Sequence, residues 1–319
     1  MPEFADDLSL VEAPRVLAVS ASPAEAEPGA AVTLTALVAD ASGTVSAAPL
    51  DWSLCRARRP LAELGPVARA CLEGQADAVL AVGAGPTVEA RVPDDVCRRF
   101  GPDPPPTAAG QAAGRPVDPD GSGGYYQPVL VDAPDDALAL FQLRVRCGAA
   151  GATQAEAAEL RRRYRVNTNP EIVGVEVAEQ GVDDALLVAA GEEVVLVIRW
   201  PDCPAEPRCG DGLCTLDEDI DACAVDCTDP RGCGGAETYL RFDPEALALT
   251  SAREAMRVAW YATAGGFATT HTGRAADDTG ATSTNTWTAP AEPGPATIWI
   301  VVRDERGGAS WRTVAVEVR

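Results

Sequence analysis

The chain has 319 residues, a formal net charge of −22 and a pI near 4.4. A surface this acidic repels phosphate backbones and anionic lipid, which argues against nucleic acid and membrane-surface partners. Aromatic residues make up only 5% while Gly and Pro number 29 and 26, a composition that suits an all-β chain of small and β-branched residues with frequent turns. The length allows two domains, each large enough to bury its own core. All 26 basic residues are Arg. Ten cysteines accompany a single His, so disulfides formed in an oxidising compartment are expected in place of Cys/His zinc sites. No apolar run reaches the length of a membrane-spanning helix. Met1-Pro-Glu-Phe4 leads directly into Ala5-Asp6-Asp7, so the export signal that the cysteines imply is expected to lie outside the sequence.

Residues 1–13 read as an N-terminal extension. The first strand is Arg15 to Ser22, and the second is Ala31 to Asp40. In the second, Val32, Leu34, Ala36 and Val38 share one face and Thr33 and Thr35 the other. Leu50 to Cys55 follows, with Trp52 placed as the central aromatic of a sandwich core. Strands at 78–82 and 87–92, a Pro/Gly/Asp-rich loop from Phe100 to Tyr126, and strands at 129–131 and 137–145 complete a first domain, 14–166. Gly121-Ser-Gly-Gly-Tyr-Tyr126 within that loop reads as flexible linker. The segment Ala152 to Arg163 predicts the one clear helix, with Thr153 as N-cap and Glu156 completing a capping box. Tyr164 to Pro170 reads as a short linker, and protease cleavage is expected between Tyr164 and Glu171.

The second half, 167–319, repeats the logic of the first. Gly29-Ala-Ala-Val-Thr-Leu34 corresponds to Gly191-Glu-Glu-Val-Val-Leu196, and Trp52 to Trp260. The extra length between the second pair coincides with a cysteine-rich insertion, 201–235. A closing hairpin joins Thr297–Arg303 to Thr313–Arg319, with Ile298, Ile300 and Val302 on one face.

Three segments carry a resemblance: Val258 to Phe267, Asn285 to Pro290 and Val301 to Gly308. They resemble PKD/immunoglobulin-like modules of bacterial surface proteins, which implies two immunoglobulin-like β-sandwich domains. Cys209-Gly-Asp-Gly-Leu-Cys214, Glu218 and Cys223-Ala-Val-Asp-Cys227 resemble a short repeat of myxobacterial exported proteins. That repeat has Gly where this chain has Asp217, and Pro where it has Ala224. Pro14 to Val19 and Asn167-x-Asn169-Pro170 are similar to segments of lipoproteins of the same group. The resemblance implies an extracellular, cell-surface or periplasmic address, as an outer-membrane lipoprotein whose only membrane attachment is a lipid anchor outside this sequence.

In the first domain, Cys55 is expected to pair with Cys71, and Cys97 with Cys147. The insertion holds Cys203, Cys209, Cys214, Cys223, Cys227 and Cys233 in the pattern C-x5-C-x4-C-x8-C-x3-C-x5-C, for which 15 connectivities exist. Six carboxylates crowd into residues 211–226. Hard oxygen donors on a stapled loop suit calcium, with Asp211, the Leu213 carbonyl, Glu218, Asp219, Asp221 and Asp226 as the expected ligands. Arg161, Arg162, Arg163 and Arg165 are expected to make salt bridges between domains, and His271 to be a surface residue. No catalytic motif is present, so the chain reads as a non-enzymatic surface protein that binds a protein partner or assembles with itself. The alternative is a carbohydrate-binding module using Tyr125, Tyr126, Trp287 or Trp299. A third reading is a hydrolase without recognisable motifs.

Overall fold

A computed structural model describes residues 8–60, 62–101, 121–133, 137–149, 151–182, 185–204, 208–228, 232–243 and 245–319. The fold is all-β, with four short helices among the described residues. Most of the Phe100–Tyr126 loop lies outside the described residues.

In the first half, strands Arg15–Ser22, Ala31–Asp40, Gly43–Thr44 and Thr87–Arg91 form one sheet. Glu25–Ala26, Ala137–Arg146, Gly124–Ala133, Asp51–Cys55 and Val79–Ala84 form the facing one. Alternation decides which side chains go inward. Val32, Leu34, Ala36 and Val38 are buried against Trp52, Leu54, Val129, Val131 and Leu143. Thr33 and Thr35 point outward, where Thr33 donates to Glu89 Oε1 at 2.6 Å and Thr35 meets Thr87 at 3.3 Å. These pairs sit directly opposite one another across the ladder. The segment expected to be flexible, Gly121 to Tyr126, instead turns at Gly123 (φ +79°) and enters the strand Gly124–Ala133. Gly124 is required there: a Cβ would lie 2.1 Å from the buried Arg144 guanidinium.

The second half pairs two five-stranded sheets. Glu193–Arg199 is antiparallel to Thr282–Thr288, and Gly294–Arg303 lies between Met256–Ala262 and Ala309–Val318. Trp260 and Trp287 are fully buried at the centre. Both halves place the corresponding tryptophan alike, with the Trp52 indole donating to the Gly85 carbonyl and that of Trp260 to Thr272.

The excursion between Glu193–Arg199 and Met256–Ala262 is longer than the cysteine pattern shows. It contains a further hairpin, Thr238–Asp243 with Ala248–Arg253, which pairs only with itself. Tyr239, Leu240 and Phe242 are all buried and follow no single two-residue alternation, so the sequence pattern does not mark this hairpin.

The strand Gly294–Arg303 is buried on both faces over 298–302, which is why its sequence runs apolar there without a break. Ile298, Ile300 and Val302 enter the second core, while Trp299 and Val301 face the first half. There they meet Leu17, Ala18, Leu37 and Ala39 from the outer face of the first sheet. Trp299 donates to Thr44 Oγ1 at 2.8 Å and Arg303 to the Leu17 carbonyl at 2.9 Å. The described part of the N-terminal extension joins the second half: Leu10 bridges Ala262, and the Val11 amide donates to the Ala262 carbonyl.

Candidate functional site

The linker joins the two halves of the chain, and much of it is buried. The helix Gln154–Arg163 begins with the predicted capping box, Thr153 accepting from the Glu156 amide and Glu156 from the Thr153 amide. It ends at Tyr164, whose extended backbone leads into Arg165, Val166 and Asn167. Tyr164, Arg165, Asn167 and Pro170 are all buried, so cleavage between Tyr164 and Glu171 is opposed by inaccessibility.

Two clusters of buried charge hold this segment. In the first, Glu25 and Arg144 stand opposite one another on parallel-paired strands and form an ion pair at 3.2 Å. Glu25 also accepts from Tyr164 Oη at 2.5 and 2.6 Å and from the Asn167 amide at 3.1 Å. Burial raises the Tyr164 pKa, so its hydroxyl remains a donor. In the second cluster, Arg306 donates to Glu254 at 2.6 Å, to Glu237 at 2.9 Å and to the Arg165 carbonyl at 2.8 Å. Asp304 accepts from the Gly308 amide and from the Asn167 side chain. Asn167 therefore touches both clusters. Asn169 adds a third tie, donating to the Ala21 carbonyl at 2.7 Å and accepting from the Ala309 amide at 3.0 Å.

The second cluster sets three carboxylates beside one guanidinium. Burial raises the pKa of Glu237 and Asp304 and pushes Glu254 up to about 8. Arg306 stays cationic, because Glu254 and Glu237 outweigh the burial that opposes its charge. Asp304 and Arg306 fall in the segment Val301 to Gly308 that carried a resemblance, but no role was read for their charges, because the partners of Arg306 lie 52 and 69 positions away.

The cysteine-rich lobe is built differently. All ten cysteines are paired. Cys55–Cys71 and Cys97–Cys147 close loops in the first half. In the lobe, Cys203–Cys233 closes the base, and Cys209–Cys223 and Cys214–Cys227 cross within it. The Cys-Gly-Asp-Gly pattern has a local reason. Gly210 and Gly212 take left-handed backbone (φ +95° and +86°) and aim their amides at the Asp226 carboxylate, at 2.6 and 3.1 Å. Glu218 accepts from both the amide and hydroxyl of Thr215. Asp211 accepts from the Leu213 amide.

These bonds decide what becomes of the expected calcium shell. Asp226 has both oxygens occupied by glycine amides. Asp219 receives the Asp221 and Ala222 amides and pairs with Arg162. The Ala222 amide, ahead of Arg162, holds its carboxyl below the usual range. Asp221 is exposed, and Leu213 lines a small cavity beside the Cys203–Cys233 bridge. Among the described residues, one acidic or thiol group converges closely enough for a metal: Cys209, Cys223 and Asp226. Its two sulfurs belong to a single disulfide. Among the described residues, the six expected ligands do not converge on one point.

Of the four arginines expected to cross between segments, Arg162 and Arg163 pair with Asp219 and Asp217 of the lobe. Arg165 donates to the carbonyls of Cys214, Thr215 and Glu218. Arg161 makes none of these contacts. The aromatic residues of the glycan reading are buried: Tyr125 is 2% exposed, and Trp287 and Trp299 are 0% exposed. Tyr126 is half-buried with Arg144 near its ring. Packing at these positions leaves no aromatic platform for a sugar ring. His271 is exposed, on the strand His271–Arg274.

No protein-family profile matches the chain, and no curated protein matches it. Among solved structures, latent PorU from Porphyromonas gingivalis is similar at 15% identity over 97% of this chain and 24% of that one, with a TM-score of 0.22. Domains 4 and 5 of the S-layer protein SbsC align at 10% identity over 95% of this chain and 98% of that one (TM-score 0.20). Red sea bream transglutaminase aligns at 10% identity over 96% and 31% (TM-score 0.23). The chain thus spans about a quarter of the PorU chain it matches. Superpositions this loose bear on neither fold family nor activity.

Proposed function

We propose that the chain is a non-catalytic module of the bacterial cell surface, made of two immunoglobulin-like units, 14–166 and 167–319, that presents its cysteine-rich lobe to a protein partner. Five disulfides place it in an extracellular or periplasmic setting, and attachment as an outer-membrane lipoprotein fits that address. Among the described residues no helix is long and apolar enough to cross a membrane. The observation that carries the reading is the locked junction. Buried ion pairs and a shared apolar face hold the halves together, as suits a spacer that presents a contact lobe in a fixed orientation.

The lobe offers Ile220 and Val225, 56% and 74% exposed, side chains without an evident role in folding. The test is a photo-crosslinking residue at position 220 or 225, with position 187 on the second sandwich as control, in protein displayed on its producing cells. A discrete adduct from the lobe positions and none from the control is expected. No adduct, or equal labelling from position 187, overturns the reading.

A further inference from the structure

Arg161 is the odd member of its cluster. In a chain with 48 acidic residues and 26 basic ones, its neighbours Arg162 and Arg163 each take a carboxylate of the lobe. Arg161 has no ion-pair or hydrogen-bond partner among the described residues. It stands instead at the wall of a cavity of about 420 Å³ between the helix Gln154–Arg163 and the edge of the first sandwich. That volume lies within the range of small-ligand sites.

The cavity combines an apolar wall with two cationic side chains, Arg161 from the helix and Arg146 from the sandwich edge. Ala157, Leu160 and Tyr164 of the helix segment supply the apolar wall. Arg146 faces it as well, its guanidinium 5.6 Å from the centre of the Tyr164 ring. Among the described lining residues one carboxylate, Glu27, is present and is already paired with Arg146, so within that lining Arg161 is the cation without a carboxylate partner. The opposite wall is stapled. The amides of Cys147 and Gly148 both donate to the Gly123 carbonyl, at 2.9 and 3.1 Å, and Cys147 is bridged to Cys97. The helix wall is held by its capping box and by Tyr164 bonded to buried Glu25. Both walls are thus fixed before any ligand arrives, which reduces the ordering cost of binding.

We propose that this cavity binds a small organic anion, a carboxylate carried on an apolar body, with Arg161 pairing the carboxylate and Leu160 and Tyr164 packing the body. An arginine fork suits a planar carboxylate, and the apolar wall rejects a purely inorganic anion. The carboxylate could belong to a free acid or to the C-terminus of a peptide.

Isothermal titration of the full chain with 3-phenylpropionate, its neutral amide and a short peptide ending in Phe tests the site. The acid binds, the amide binds at least about tenfold more weakly, and Arg161→Ala lowers affinity about tenfold or more, as expected for loss of a charge-assisted bond. Arg161 is exposed on a helix surface, so this variant folds; Ala157→Phe, which fills the cavity, is the second variant and abolishes binding. Tighter binding of the peptide than of the free acid assigns the source to chain termini; the reverse order assigns it to free acids. Equal affinity for acid and amide, no measurable binding of acid or peptide, or binding unchanged in both variants overturns the proposal.

Discussion

The linker junction and the cysteine-rich lobe solve the same problem by opposite means. Each must order a polar stretch of chain that has few apolar side chains of its own. The lobe does so covalently, with three disulfides between residues 203 and 233. Its two buried carboxylates, Glu218 and Asp226, serve as acceptors for groups of the same loop, and the rest lie nearer the surface. The junction uses no disulfide. It places Arg144, Arg306, Glu25 and Glu254 in the interior and relies on full pairing to offset the loss of hydration. The lobe is accordingly sensitive to reductant and indifferent to moderate pH, and the junction the reverse.

The largest effect is expected at the junction. Arg306→Met leaves Glu237 and Glu254 buried without their cation, a loss of about 3–5 kcal/mol measurable by urea unfolding. Adding Glu237→Gln and Glu254→Gln to that variant restores part of the loss, because neutral amides then replace carboxyl groups that have lost their cation. A mild effect of Arg306→Met would break the contrast with the lobe. The lobe variant Cys203→Ser/Cys233→Ser ranks next. Opening a loop of separation 30 removes roughly 3–4 kcal/mol in the chain-entropy treatment. Hydrogen exchange should rise within 203–233 and stay unchanged in the strands of both sandwiches.

The third expectation concerns pH. Glu254 has a folded pKa near 8, above its ordinary 4.5. A group raised in this way gives its full stability below the unfolded value, and that stability is lost as pH rises through the folded one. Between pH 6 and 8 the loss is about 2 kcal/mol, read as a falling melting temperature, and Glu254→Gln should flatten the slope. A wild-type profile as flat as the variant's would place the junction with the lobe. The smallest effect belongs to Arg162→Ala and Arg163→Ala. These partly exposed pairs with Asp219 and Asp217 are worth at most about 1 kcal/mol each.

What could be read from the chain follows the same division. Local signals were legible: the capping box at Thr153, the alternation of Val32 to Val38, the correspondence of Trp52 and Trp260, and the closing hairpin now seen as Gly294–Arg303 with Ala309–Val318. Each depends on neighbours within a few residues or on a two-residue period. The junction was not legible, because a buried Arg and a solvated one look alike until a partner is brought up from far along the chain. Trp299 and Val301 gave a partial signal: five apolar residues in a row exceed what a strand exposed on one face needs. The lobe was legible only in part. The left-handed turns at Gly210 and Gly212 aim two amides at Asp226, and Glu218 takes the Thr215 amide and hydroxyl on one oxygen, local roles that the Cys-Gly-Asp-Gly pattern alone does not reveal.

If the buried junction makes the two sandwiches one mechanical unit, they must unfold together. Differential scanning calorimetry of the full, oxidised chain at pH 6 measures this directly. A single transition with equal calorimetric and van't Hoff enthalpies is expected. Two separable transitions, or a second one that appears in wild-type protein without the Arg306 substitution, would contradict it.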